Sequence, residues 1–385
     1  MGRRVVRVAM NGVTGRMGQL QHLARSLLAI REDGGLELAN GDLLWPEPVL
    51  VGRDPAKLAA LAERHGLSDW TTSLDEALSD PSVEIYFDAQ VTSARGPALQ
   101  KAIEAGKAVY VEKPVAGTLS EAVAAARAAR ERGVPNGVVQ DKLFLPGIRK
   151  LRRLLEAGAL GRLLAVRGEF GYWVFEGNWR PSQRPSWNYR AEEGGGIVTD
   201  MFCHWQYLLE GLFGQVRSVY AQVATHVLER WDESGEPYKA TADDAAYAVF
   251  ELDDGVVAQV NSSWVTRVFR DELVEFQVDG TEASAVAGLQ RCRFQHRATT
   301  PVAVWDPDEP PRHAYRAMWQ EVPGDAAAPS AFRLQWESFL KHVTTGSPFP
   351  WDLFAGARGV QLAELALTSA REGRKVAVTP LEPAA

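Results

Sequence analysis

Cysteine is scarce in this sequence: Cys203 and Cys292 are the only two among 385 residues. A chain of that length has a large core of its own, so a disulfide scaffold is excluded and a reducing cytoplasm is the expected compartment. No run of about 18 apolar residues, the span that a membrane-crossing helix needs, occurs in it. The formal charge of −7 is spread along the chain without a basic block, which argues against a nucleic-acid partner and a polybasic membrane patch. The opening MGRRVVRVAM begins like a secretory leader, but NGVTGRMG follows too soon for a long apolar segment and a cleavage site. Val5 to Met10 reads instead as a buried first strand.

With 46% hydrophobic and 24% charged residues, the composition is that of a globular protein with room for two domains. From residue 5 to about 140, β-branched runs alternate with amphipathic stretches. VVRVAM, PVLVGR, EIYFDAQ, AVYVEKP and VPNGVVQD read as strands; Met17 to Arg31, PAKLAALAERHG, PALQKAIEAG and LSEAVAAARAARERG read as helices. This pattern predicts a Rossmann-type, doubly wound parallel sheet over residues 1–140, with its ligand beyond the carboxyl ends of the strands. Residues 141–385 read mostly as strands: GRLLAVRGEFGYWVF, VRSVYAQVATHV, DAAYAVFELDD, GVVAQVNSSW and ELVEFQVDG. An α+β domain follows, its mostly antiparallel sheet open on one face and covered by helices on the other. An uncovered apolar sheet face is unfavourable in water, so a partner subunit is expected to cover it.

In MNGVTGRMG the glycines Gly12, Gly15 and Gly18 lie directly after a strand and before a helix. Glycines there permit a tight turn and let backbone N–H groups approach a pyrophosphate at a helix N-terminus. The place that reads the ribose, after the second strand, carries Arg53 and Asp54. A carboxylate there grips the hydroxyls of NAD, whereas an arginine accommodates the 2′-phosphate of NADP. Arg53 tilts the reading towards NADP; Asp54 serves NAD if the turn presents it, or simply caps the next helix.

GGGIVTDMFCHW sets Asp200 and His204 four residues apart, on one face of a helix. Two metal ligands, a catalytic pair, or a core histidine beside a capping acid all suit that spacing. Zinc normally takes three or four protein ligands, and the sequence has neither a further histidine pair nor a C-x-x-C to supply them. No metal is therefore expected. FGYWVFEGNWRPSQRPSWNYR is dense in aromatics and arginine, a composition that suits either stacking on the C–H face of a sugar or an interface between subunits. Tyr172, Trp173, Trp179 and Tyr189 are its candidates for the border of a cleft.

AIEAGKAVYVEKP, Ala102 to Pro114, resembles the signature of the glucose–fructose oxidoreductase / inositol dehydrogenase / MocA family of NAD(P)-dependent oxidoreductases. VVQDKLFLPGIRKLRRLLEAGALGRL is similar to that family's crossover into its second domain, GGGIVTDMFCHW to its glycine-rich approach to D-x-x-x-H, and TADDAAYAVFELDDGVVAQVNSSW to its sheet hairpin. FRLQWESFLKHVTTGSPFP resembles its final helical return, so the likeness spans about residues 5 to 378. Two positions depart from it: Arg95 stands where members usually carry histidine, and Lys142 where they usually carry arginine. Gly34 to Pro48 and His226 to Ala240 read as loops elaborated beyond the common core.

The resemblance implies hydride transfer between a nicotinamide and a secondary hydroxyl or ketone of a sugar, sugar derivative or cyclitol. Lys113 is then the donor to the substrate oxygen, His204 the proton acceptor, with an intrinsic pKa of about 6.5, and Asp200 its neighbour at the substrate. The cofactor set it implies is Gly12, Thr14, Gly15, Arg16, Met17, Arg53, Asp54, Thr92, Glu112 and Lys113; the substrate set is Lys142, Tyr172, Trp173, Trp179, Tyr189, Asp200 and His204. Two other readings compete: a glycoside-cleaving enzyme that oxidises and re-reduces its sugar on tightly held NAD, and a nucleotide-binding sugar sensor without catalysis.

Overall fold

A computed structural model of the chain describes residues 2–324 and 328–381. They divide into two units, one of residues 2–144, 329–361 and 381, the other of residues 145–324, 328 and 362–380. The segment 329–361 therefore counts with the first unit, although nearly two hundred residues separate the two in sequence.

The first unit is built on a sheet of seven strands: β1 (Arg3–Asn11), β2 (Leu36–Glu37), β3 (Leu43–Val51), β4 (Trp70–Thr71), β5 (Val83–Asp88), β6 (Ala108–Val111) and β7 (Asn136–Val138). Its order is β2-β3-β1-β5-β6-β7, with β4 beside β3, and every pairing except the short β2·β3 one is parallel. Successive side chains of a strand point to opposite faces, and here both faces are covered. Val8, Met10, Ile85, Phe87 and Tyr110 enter one core with Leu23 and Leu27 of the first helix. Ala9, Tyr86, Val109 and Val111 enter the other with Leu99, Ile103 and Ala122. The returning segment adds Trp336 and Phe339 to the first of these cores, where Phe339 stacks on Tyr110 at 4.6 Å.

Local chemistry sets the helix ends. Asp54 accepts from Lys57 N–H at 3.1 Å to begin Pro55–His65, which closes on Gly66 in the left-handed region. Thr118 and Glu121 form a capping box at the start of Leu119–Glu131. The stretch Gly34 to Pro48, expected to be a loop, instead forms β2 and most of β3, with Leu36 opposite Leu44. Pro46 and Pro48 lie within β3. They fall where β3 pairs only with β1, and a strand with one open edge tolerates proline.

The second unit carries a nine-stranded mixed sheet whose strands are β8 (Leu163–Gly171), β9 (Val216–Ala224), β12 (Ala245–Leu252), β13 (Val257–Ser263), β14 (Val274–Gly280), β15 (Ala283–Gly288), β16 (Cys292–His296), β17 (Gln320–Glu321) and β18 (Val376–Ala377). The order is β17-β16-β15-β14-β8-β13-β12-β9-β18; β8 and β13 run parallel, their neighbours antiparallel. The second stretch expected to be a loop, His226 to Ala240, folds in part as a separate hairpin of β10 (Glu229–Trp231) and β11 (Pro237–Lys239). Helix Ile197–Leu212 covers one face of the large sheet: Phe202 meets Phe250, and Trp205 meets Phe276 and donates to Ser262 Oγ at 2.9 Å. On the other face Leu164, Tyr220, Tyr247, Val249 and Val257 are exposed.

Gly12 shows how tightly the first turn is drawn. Its φ is +77°, and a Cβ there would lie 2.7 Å from the backbone of Ala89 and Gln90. Gly12→Ala is expected to lose more than about 1 kcal/mol of unfolding free energy, read by urea denaturation; an unchanged midpoint would contradict this close approach.

Candidate active site

In the first unit, the carboxyl ends of β1, β5 and β6 bring chemistry-bearing side chains together. Asn11 ends β1, and its amide donates to Tyr86 Oη and Gln90 Oε1, each at 3.0 Å. Tyr86 Oη donates to Asp88 Oδ2 at 2.6 Å, and Arg95 Nε donates to Asp88 Oδ1 at 3.0 Å. Glu112 follows β6. Its Oε2 accepts from Lys113 N–H at 3.0 Å, and its Oε1 lies 2.8 Å from His22 Nε2. Trp336 Nε1 donates to His22 Nδ1 at 3.0 Å. An indole N–H only donates, so Nδ1 is the acceptor and the imidazole proton on Nε2 points at Glu112. Burial pushes the Glu112 carboxyl up, but the His22 hydrogen bond and the nearby cations Lys113 and Arg95 outweigh it and hold the pKa at about 2. Glu112 is thus a buried carboxylate turned towards the backbone of the residue after it.

A cleft of about 230 Å³ opens beside this cluster, lined by Asn11, Gly52, Arg53, Thr72, Gln90 and Lys101 among others. Arg53 is exposed at its wall. Asp54 is occupied as the helix cap described above, and the Lys57 N–H it accepts lowers its pKa. Thr14 and Met17 are half-buried in the glycine turn and at the first turn of helix Met17–Leu28, while Gly15 and Arg16 are exposed. The tight Gly12 turn, leading into a helix and flanked by the cleft, fits the pyrophosphate and adenosine half of a dinucleotide. Thr92 opens helix Thr92–Glu104 and is half-buried, as is Lys113. Lys142 pairs with Asp141 at 2.5 Å and lies over the Phe332 ring at 5.9 Å.

In the second unit, helix Ile197–Leu212 carries Asp200 in its first turn and His204 one turn later. The last glycine before it has a steric cause: Gly196 has φ +115°, and a Cβ there would meet Asp243 Oδ1 at 2.6 Å. Asp243 Oδ2 accepts from Val198 N–H at 2.8 Å, so the loop must come this close to tie down the helix N-terminus. Arg184 Nη1 donates to Asp200 Oδ2 at 2.9 Å and to Asn188 Oδ1 at 3.1 Å, and Nε to Tyr172 Oη at 3.2 Å; its guanidinium lies 4.1 Å from the Trp264 ring centroid. Burial works against the charge of Arg184, but Asp200 and Tyr172 outweigh it and raise its pKa. His204 Nδ1 shares a hydrogen bond of 2.7 Å with Tyr207 Oη.

The aromatic candidates part company. Trp179 is 66% exposed and edge-on to Phe175, whereas Tyr189 is wholly buried between Trp264 and the Arg230 guanidinium. Trp173 lies under Arg267 at 4.1 Å, and Tyr172 is half-buried. Arg184, Tyr207, His22 and Asp88 were not among the residues expected from sequence. Tyr207 had a signal, three residues after His204 on the same helix face. Nothing in the spacing of His22 or Arg184 announced their partners.

The comparisons with known proteins agree with this architecture. Residues 6–139 match the oxidoreductase family with an NAD-binding Rossmann fold, and residues 148–286 match the GFO/IDH/MocA C-terminal domain. The chain is 57% identical to a D-xylose dehydrogenase of Paenarthrobacter nicotinovorans, over 97% of each protein. It is 26% identical to the levoglucosan dehydrogenase of Pseudarthrobacter phenanthrenivorans, over 64% of this chain and 67% of that protein. Among solved structures, a levoglucosan dehydrogenase in complex with NADH and levoglucosan superposes with a TM-score of 0.81 at 21% identity, covering 98% of this chain and all of the other. The chain therefore belongs to the GFO/IDH/MocA family of oxidoreductases, with an NAD-binding Rossmann domain at its N-terminal end.

Proposed function

We propose that this protein oxidises a CH–OH group of a sugar with a nicotinamide dinucleotide as acceptor, and that D-xylose is the first substrate to test. The observation that carries the substrate is the 57% identity, over 97% of each chain, to a protein named D-xylose dehydrogenase. When bound, the nicotinamide supplies the hydride acceptor, a chemistry that no side chain provides. Gly12, Gly15 and the following helix would hold the pyrophosphate, and the cleft at Gly52, Arg53 and Thr72 the adenosine end.

Lys113 is the proposed hydrogen-bond donor to the substrate oxygen, where an ammonium stabilises developing alkoxide character. His204 is the proposed base, taking the hydroxyl proton on Nε2 while Nδ1 stays with Tyr207 Oη. Asp200, which accepts from Arg184 through Oδ2, would also accept from a neighbouring hydroxyl of the sugar. Tyr172, Trp173, Trp179 and Lys142 are kept as substrate contacts. With Asp54 engaged as a helix cap, Arg53 extends acceptance to NADP. The exposed face of the large sheet is the proposed contact of a homodimer or homotetramer, and the two buried thiols, neither in a disulfide, suit a reducing cytoplasm.

Incubation with D-xylose and either cofactor should produce reduced nicotinamide, seen by its absorbance; silence across a panel of aldoses and cyclitols would overturn the dehydrogenase reading. Arg53→Ala should lower kcat/KM for NADP at least about tenfold, the loss of one charge-assisted hydrogen bond, and that for NAD less than about twofold. His204→Asn should reduce kcat by about 10²–10⁴ and flatten the rise of oxidation rate with pH that an imidazole base imposes. Light scattering should show the wild type as an oligomer and Tyr247→Lys shifted towards monomer; a monomeric wild type would refute the sheet contact.

A further inference from the structure

We infer that Arg95 is a positioning residue for Lys113, acting through the backbone that presents the lysine. This inference rests on the reading of Lys113 as the donor to substrate. Arg95 lies in the first turn of helix Thr92–Glu104 and is 2% exposed, so it has no access to substrate. Its guanidinium spans three acceptors on two separate loops. Nε donates to Asp88 Oδ1 at 3.0 Å, Nη2 to the Gln90 carbonyl at 2.7 Å, and Nη1 to the carbonyl of Pro114, the residue after Lys113.

The other side of Lys113 is held as firmly. Its N–H is bound by Glu112 Oε2, and Glu112 is fixed in turn by His22 and Trp336. Glu112 N–H donates to the Asp88 carbonyl at 2.8 Å, which ties the same turn to the end of β5. Peptide groups are planar, so anchoring the N–H of Lys113 and the carbonyl of Pro114 narrows the backbone torsions between them. These torsions direct the lysine side chain. A guanidinium is suited to the task because its donors diverge in a rigid plane and it keeps its charge at any working pH. A lysine at the same place keeps the charge beside Asp88, but its single ammonium cannot span the carboxylate and both carbonyls.

Arg95→Lys, Lys113→Ala and the double variant test the inference in one cycle, with NADH affinity measured by fluorescence on each protein. Arg95→Lys should lower kcat at least about tenfold, narrow or shift the pH–rate profile, and leave the Kd for NADH within about twofold. On the Lys113→Ala background the same change should cost less than about twofold, because the residue it positions is gone. An equal loss on both backgrounds, or a parallel loss of NADH binding, would mean a general structural role and overturn the inference. Wild-type kcat in Arg95→Lys would overturn it too, whatever Lys113→Ala does. Wild-type kcat in Lys113→Ala refutes the reading of Lys113 itself, and the inference falls with it. Should Arg95→Lys fail to fold, Asp88→Asn/Arg95→Gln removes both buried charges together and is read by the same cycle.

Discussion

The ion pair between Asp88 and Arg95 is the constraint around which the first unit is arranged. Both side chains are almost wholly shielded from water. Removing two charges from solvent costs several kcal/mol per ion, which their attraction offsets only when further hydrogen bonds complete the geometry. Here they do: Asp88 also accepts from Tyr86 Oη and Gln90 N–H, and Arg95 reaches two backbone carbonyls. Through Asn11 and Tyr86 the pair reaches the end of β1, and through Pro114 it reaches the turn after β6. Three strand ends are thereby locked at the place where a doubly wound sheet binds its ligand.

The second unit solves a similar problem on a helix. The acid of D-x-x-x-H is held by Arg184, and the histidine has Tyr207 beside its Nδ1. Neither residue depends on a metal to explain its position. Gly196 stands before the helix because Asp243, which ties the helix start, sits where a larger side chain would go, and Gly195 because the backbone of Trp187 and Asn188 does.

Much of this was legible in the sequence, and the reason lies in period and punctuation. The short β-branched and apolar runs VVRVAM and EIYFDAQ, and the glycine closing PAKLAALAERHG, are local signals that tertiary context did not override. Gly34 to Pro48 misled, because its extra length read as an elaborated loop, whereas Pro46 and Pro48 lie where one edge of β3 is unpaired and can stay in the strand. The candidates Lys113, Asp200 and His204 could be picked out by residue type, but the partners that hold each of them could not. His22 to Glu112 spans ninety residues and Trp336 to His22 more than three hundred, and no pattern of period 2 or 3.6 encodes such a pairing. Arg95 was visible only as a departure from the family's usual histidine; that its guanidinium turns inward to Asp88 and Pro114 needed coordinates.

The central claim is that a hydride leaves a sugar carbon for the nicotinamide. Mass spectrometry of the cofactor after turnover of D-xylose deuterated at the carbon that is oxidised tests this directly. The account predicts one deuterium in the reduced nicotinamide for each turnover. Deuterium released to water, or returned to a sugar product with no net reduced cofactor, would contradict it.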